Sequence, residues 1–431
     1  MRIFTIIWCG QLVSTIGSYM TEFVLTLWVW EVTHSVAALT SIGLFGQISR
    51  VIITPFAGVI VDRYPRQPLI CLSDAVAALS TAIILVLYVT AHLETWHLYI
   101  LNAINSGFGQ IQALAYSTSV TLMVPASQYT RTSSMESAIH YGSAILAPAL
   151  AGSLYTTIGL TGILWIDIAT FGVAITTLFS VKFPVFYQSD LTASIQWRSI
   201  LHLTWQQTIG GLHYCWMQPG LRGLLLITLL FWFAHDLGEA IYDPMILARS
   251  NGNAQILAST SIAAGIGGVI GAIGLSAWGG FQQRTRGLLW GMIGAGLSKT
   301  CFGLGQAPAI WLPAQFSSSL HFPLLSSSET ALWMQQVAPE RQGRVFAANS
   351  LLLQIVSAGA IGCAGWLADR FFEPAMLSNR PAIQVLQPIF GTGAGAGTAI
   401  LYVCCAISMC AVGILGCWLP LLQQLEDGSI P

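Results

Sequence analysis

Charge is what this sequence has least of. Only 8% of its 431 residues are Asp, Glu, Lys or Arg, where soluble domains carry about 25%, and 55% are hydrophobic. A soluble fold could not cover that much apolar surface, so the partner implied is the lipid bilayer. Sixteen Lys+Arg against seventeen Asp+Glu leave a net charge of -1, so no basic excess is available to neutralise phosphates, and nucleic acid is excluded as a partner. The nine cysteines lack paired metal-ligand spacing. Cys404, Cys405, Cys410 and Cys417 lie in apolar runs and read as small packing residues, so no metal site is expected. No Ala-x-Ala cleavage pattern follows Arg2, and the apolar run from Ile3 past Trp30 is longer than a signal-peptide core, so an uncleaved first span is expected.

Nucleotide chemistry is also missing. The run Gly391-Thr392-Gly393-Ala394-Gly395-Ala396-Gly397 is glycine-rich, but no strand precedes it and no acidic residue stands at the distance a dinucleotide site needs, so it reads as a flexible outer loop. No Walker lysine follows any glycine-rich stretch, so no cofactor is expected and ATP is not the energy source. No Ser/His/Asp, Cys/His or metal-ligand grouping lies at one depth, and His140 has no evident partner, so an enzyme is not expected.

What the sequence has in quantity is long apolar runs. Those of about 20 residues or more recur near 4–29, 37–61, 68–91, 97–123, 134–157, 160–183, 222–244, 255–280, 286–306, 309–335, 345–370 and 396–420, predicting twelve membrane helices. With a cytoplasmic N-terminus, Arg2, Arg50, Arg63, Arg66, Arg131, Lys182, Arg198, Arg222, Arg284, Arg286, Arg341 and Arg344 fall inside. Only Arg249, Arg370 and Arg380 fall outside, and Lys299 falls within a span. This asymmetry places both termini in the cytoplasm and supports an even number of spans.

The chain divides into a six-helix bundle over residues 1–183, a cytoplasmic linker over 184–221 and a second six-helix bundle over 222–431. In the linker, Trp197, Ile200, Leu201, Trp205, Ile209, Leu212 and Trp216 recur at helical spacing. They predict an amphipathic helix, either lying in the inner interface or packed beneath a bundle. The stretch from Arg131 aligns on that from Arg344 at a constant offset of 213, so that Ala151-Gly152 meet Ala364-Gly365 and span five matches span eleven. Parallel repeats of this kind build many secondary transporters, with substrate bound between the halves.

The loop after span two reads Gly58-Val59-Ile60-Val61-Asp62-Arg63-Tyr64-Pro65-Arg66-Gln67. Gly58 would let two helices approach closely, Asp62 can face the positive end of a neighbouring helix, and Arg63 and Arg66 hold the loop at the inner surface. This pattern resembles the inner-gate motif of the major facilitator superfamily, with Pro65 where glycine is common and Gln67 in place of a second basic residue. The opening Trp8–Ser35 stretch, the Trp278-Gly279-Gly280 turn and Val337–Ser350 are similar to the exporter branch that includes macrolide-efflux and enterobactin-export proteins, and Ala368–Met376 is similar to bacterial, particularly cyanobacterial, members of that branch. The resemblance implies an all-α membrane fold of two pseudo-symmetric six-helix bundles. It further implies a monomeric secondary transporter of the inner membrane that exports a small amphipathic molecule (drug, siderophore or peptide-like metabolite) by alternating access coupled to protons. An importer or a non-transporting sensor on the same fold is the alternative. In span five, Ala147-Pro148-Ala149-Leu150-Ala151-Gly152 is similar to the antiporter Pro-Gly motif; Pro148, Gly152 and Gly365 would serve packing and rocking. Span four lacks the arginine that the family often links to proton coupling, offering Asn102 and Asn105 instead.

Ionisable residues inside spans are costly and mark function. His235, Asp236, Glu239 and Asp243 crowd span seven, with the three acids at one-face spacing, and Glu22 stands at comparable depth in span one. Glu22, Asp236 and Glu239, assisted by His235, are therefore the candidate site for a cationic substrate or the coupling proton. Asp74, Lys299 and Arg344 are candidate charge partners. Loop arginines are the expected partners of Asp74 and Glu329, and Asp167 resembles a residue common in the branch.

Overall fold

Inside hydrocarbon a backbone polar group has no water to bond, so each apolar run must satisfy its own N–H and C=O groups, which a helix does. The computed structural model describes residues 2–125, 128–181, 197–376, 378 and 381–423, and among them no strand occurs. Lys182 and Arg380 of the charge pattern lie outside the described residues, as do linker residues 184–196.

The helices are α1 (Arg2–Thr33), α2 (Val36–Arg63), α3 (Arg66–Val89), α4 (Thr95–Met123), α5 (Tyr129–Phe179), α6 (Trp197–Met217), α7 (Pro219–Ala240) and α8 (Tyr242–Arg249). They continue with α9 (Ala254–Trp278), α10 (Arg284–Leu304), α11 (Pro308–Gln336), α12 (Pro339–Leu367), a π-helical turn (Ala368–Phe372), α13 (Glu373–Met376), α14 (Pro381–Phe390), α15 (Ala396–Trp418) and α16 (Pro420–Gln423). Among the described residues, eight stretches are long and apolar enough to cross a membrane. Helices α4, α10 and α11 have the length but are less apolar. Helix α5 is two rods, broken where Gly159 takes φ 63°, a conformation open to glycine. With α5 counted as two, these helices fall on the twelve apolar runs read from the sequence.

Local chemistry explains several helix ends. The Asn253 side chain accepts from the backbone N–H of Gln255 and Ile256 and starts α9, which stops at Gly279 (φ 83°), followed by Gly280 (φ 78°). The glycine-rich run is a loop only as far as Gly395; Ala396 and Gly397 already belong to α15. A Cβ on Gly397 would run into the backbone of Phe372 and Glu373. Glu373 holds that helix start, its Oε1 accepting from Thr398 N (2.8 Å) and Oγ1 (2.6 Å).

The chain forms two compact units. The first takes in residues 1–33 and 41–201, the second residues 34–40 and 202–431. In the first, α1 packs along α5, and α3 along α4 and α5. In the second, α10 lies against α11 and α15, α11 against α9, and α7 against α12 and α15. The buried core of this second unit runs through Leu224, Phe231, Leu288, Met292, Leu325 and Trp333. Helix α6 joins it: a Cβ on Gly211 would press on the Arg344 carbonyl of α12, and Cys215 is buried, while Ile209 and Trp216 face outward. The outward face is mixed, since Gln206 and His213 are exposed on it as well. The side chains of Trp197, Ile200, Leu201 and Trp205 lie outside the described residues.

Residues 34–40 sit in the second unit because Asp369 holds them. Its Oδ2 accepts from Ser35 Oγ (2.7 Å) and Ala37 N (2.9 Å), and its Oδ1 from Val36 N (3.2 Å), capping the start of α2. Gly365 makes room for this approach, since a Cβ there would run into Ala37 and Thr40.

Candidate functional site

In the second unit, α7 and α10 bring Glu239 and Lys299 together at 2.8 Å. The partition of exposure is unequal: the Lys299 side chain is 3% exposed and that of Glu239 is 50%. Lys299 extends between rings, its Nζ 5.9 Å from the centre of Phe322 on α11 and 5.7 Å from that of Tyr402 on α15. Aromatic faces attract a cation, and the pair removes the cost of a lone charge, about 2.5–3.5 kcal/mol or more at mid-bilayer.

One turn earlier on α7, His235 Nδ1 lies 3.0 Å from Asp236 Oδ1. The His235 ring stands edge-on to Trp232 and Phe322, at 5.1 and 4.9 Å between centres. Asp243 is not part of this face. Helix α7 ends at Ala240 and Asp243 lies in the first turn of α8, because the break at Ile241 interrupts the helical spacing that joined the three acids in sequence. At the end of α8, Arg249 donates to the carbonyls of Gly303 (2.9 Å), Gly305 (2.8 Å) and Phe390 (2.9 Å), gathering the orphan carbonyls at the ends of α10 and α14.

The first unit handles its acids differently. Asp74, 2% exposed on α3, accepts from Gln112 Nε2 (2.7 Å) on α4 and Gln11 Nε2 (3.1 Å) on α1. The loop arginines expected as its partners do not reach it. Glu329 in the second unit is likewise bound by Trp232 Nε1 (3.3 Å) in place of an arginine. In both cases the acid is buried among helices, where indole and amide N–H groups are closer than any loop cation. Glu22 on α1 is exposed and its carboxylate accepts no hydrogen bond from the described residues. His140 does find a partner: its Nδ1 lies 3.3 Å from the Tyr19 hydroxyl.

Of the loop motif, Arg66 donates to the Thr118 carbonyl (2.9 Å) and Gln67 to that of Leu178 (2.7 Å), tying the start of α3 to α4 and α5. Asp62 is exposed and has no hydrogen-bond or ion-pair partner among the described residues. Gly58 makes no close approach, for a Cβ there would meet nothing within 4 Å. Pro148 and Gly152 are buried in α5, and Arg344 is exposed at the start of α12. The asparagines that stand in place of a span-four arginine bind neighbouring helices: Asn102 donates to the Ile42 carbonyl (2.8 Å) and Asn105 accepts from Ser80 Oγ (2.9 Å).

Sequence reasoning did not foresee Gln11, Gln112, Ser18, Thr81 or the aromatic surround of Lys299. The signal available was an amide or hydroxyl recurring in otherwise apolar spans, which does not say what it bonds.

Comparison with known proteins sharpens this picture. Residues 7–361 match the model of the Major Facilitator Superfamily. Macrolide efflux protein A of Streptococcus pyogenes is 26% identical over 369 residues, 85% of this chain and 89% of that one. The multidrug efflux pump Tap of Mycolicibacterium fortuitum is 23% identical over 92% of this chain and 91% of its own. In fold, the chain is similar to a POT family transporter solved in complex with a thioalcohol-conjugated peptide (TM-score 0.71, 12% identity, 99% of this chain and 97% of that one). It is also similar to a bacterial homologue of the iron transporter ferroportin (TM-score 0.67, 13% identity, 96% and 98%). A multi-pass helical chain with this match along most of its length is a transporter rather than an enzyme, and it belongs to the Major Facilitator Superfamily.

Proposed function

We propose that this protein exports a small amphipathic molecule, a drug, siderophore or peptide-like metabolite, by alternating access of its two helical units. Transport is coupled to protons, and the protein works as a monomer in the bacterial inner membrane with both termini cytoplasmic. The observation that carries the reading is the Glu239–Lys299 pair set among aromatic rings. Glu239 is the half-exposed member, so the acid is offered to a ligand while Lys299 stays buried, and Trp232, Phe322 and Tyr402 flank the pair with apolar surface. An acid beside rings suits a molecule that joins a cationic group to an apolar body. Exposed Glu22 on α1 supplies a second acid. Similarity to efflux proteins over most of the chain supports the outward direction.

In this reading Asp62, Arg63 and Arg66 form the inner gate, with Arg66 already fastened to α4 and Asp62 exposed for a helix end that meets it when the gate closes. Pro148, Gly152 and Gly365 lie where helices rock.

Accumulation of a macrolide and of a fluorescent amphipathic cation in bacteria with and without the protein tests direction. Expression should lower the accumulation of at least one probe. Equal accumulation of both overturns export, and higher accumulation turns the reading to import. Glu22→Gln and Glu239→Gln variants, at matched expression, test the site; full activity in both removes it.

A further inference from the structure

Asp167 takes no part in the site above, yet it is the most buried acid among the described residues at 1% exposure. It lies on the second rod of α5, eight residues past the Gly159 break and so near the middle of that rod. Its Oδ2 accepts from Thr81 Oγ1 of α3 at 2.9 Å, and its Oδ1 from Ser18 Oγ of α1 at 3.4 Å. A third hydroxyl, Thr21 of α1, faces the same carboxyl but is buried without hydrogen-bond geometry to any group. Gly17 clears the space, because a Cβ there would stand 3.0 Å from Asp167 Oδ1 and run into Thr170.

We propose that Asp167, with Ser18, Thr21 and Thr81, is a proton-binding site at the crossing of α1, α3 and α5. This rests on the proton-coupled reading above and places its proton in the first unit.

The hydroxyl partners distinguish this acid from the others. An amide, such as those on Asp74, must flip to exchange its donor for its acceptor, whereas a hydroxyl donates or accepts by rotating about one bond. When Asp167 is a carboxylate, hydroxyl O–H groups point at it. When it takes up a proton, one O–H bond forms on the carboxyl, and a hydroxyl turns its lone pair to accept that bond; the Thr21 oxygen, with no other commitment, can do so once its side chain turns toward the carboxyl. Both states are thus hydrogen-bonded with no more than a hydroxyl side chain turning, and no bond elsewhere breaks.

No counter-ion fixes the charge. Helices α1 and α3 are packed on α5 and meet Asp167 through Ser18, Thr21 and Thr81, and Asp167 has no ion pair among the described residues. The nearest titratable residues along those helices have their own settings. Tyr19 meets His140, Glu22 is exposed, and Asp74 is held by Gln11 and Gln112.

The test is pH-difference infrared spectroscopy on the purified full-length chain in lipid, paired with macrolide efflux from proteoliposomes under an imposed pH gradient. The wild type should show the carbonyl stretch of a buried protonated carboxyl that titrates, and Asp167→Asn should lose that band, while Asp74→Asn keeps it. Thr21→Val and Thr81→Val should shift the band's frequency and its titration midpoint; they serve as the decisive pair should Asp167→Asn fail to fold. A band that persists in Asp167→Asn, or that is unmoved by both threonine variants, overturns the site. So does a wild-type band that responds to added sodium in place of pH. Efflux driven by a sodium gradient and indifferent to pH overturns the proton-coupled reading, and the infrared result then stands or falls by itself.

Discussion

In the first unit, two buried acids, Asp74 and Asp167, are held by amides and hydroxyls. In the second, a buried cation, Lys299, is held by a half-exposed acid. A hydroxyl partner lets a carboxyl gain or lose its proton with its hydrogen bonds kept by rotation alone, and an amide partner does so only by flipping. An ion pair does the opposite, since removing either charge strands the other, and the stranding is worse for the member that water cannot reach. The first unit therefore holds its two most buried acids by neutral partners, whereas the second, which also binds Glu329 through the Trp232 indole, adds an ion pair that keeps a charge in place beside an aromatic wall.

The contrast breaks first, and by most, at Glu239. Glu239→Gln leaves the buried Lys299 ammonium without its counter-ion, and thermal unfolding in detergent should show a loss of about 3 kcal/mol. Adding Lys299→Met to that variant should recover much of the loss; a double variant as unstable as the single one would mean that the pair has no coupling. The smaller second effect is steric. Gly365→Val drives a side chain into the backbone of Ala37 and should cost about 1–3 kcal/mol, whereas Gly58→Ala, which meets nothing, should melt within about 0.5 kcal/mol of wild type. Similar melting of both glycine variants would erase that distinction.

Lys299→Met alone comes third. It leaves an acid that water reaches, so about 1 kcal/mol is expected, and a larger loss than in Glu239→Gln would reverse the assignment of which charge is buried. The smallest effect belongs to Asp74→Asn. Either glutamine amide can flip to offer its oxygen to the new N–H₂, so stability should change by about 1 kcal/mol or less. A collapse of the fold in Asp74→Asn would show that the carboxylate's charge is essential there, and the neutral-partner description of the first unit would not hold.

Reading the chain as a string carried the fold a long way. Apolar length placed the spans, Gly279 and Gly280 make the turn expected of them, and the run from Trp197 to Trp216 is one helix. The site was legible in outline, since Glu239 and Lys299 were each flagged as charges out of place. Their pairing was not, because across a separation of 60 residues no periodicity links α7 to α10. Asp74 was assigned arginine partners on its nearness to a basic loop, and the bundle supplied glutamines from α1 and α4. Asp243 joined its neighbours by a helical count that the break at Ile241 interrupts.

Composition and hydropathy by themselves determined that this is a membrane protein of long helices, because the backbone in hydrocarbon has no other way to satisfy its polar groups. The loop and span motifs by themselves were enough to suggest the superfamily. Only the tertiary structure decided which polar side chain answers which charge. A hydrogen bond depends on which helix faces arrive together, and in near-uniformly apolar helices that rotation is set by packing of the whole unit rather than by any local pattern.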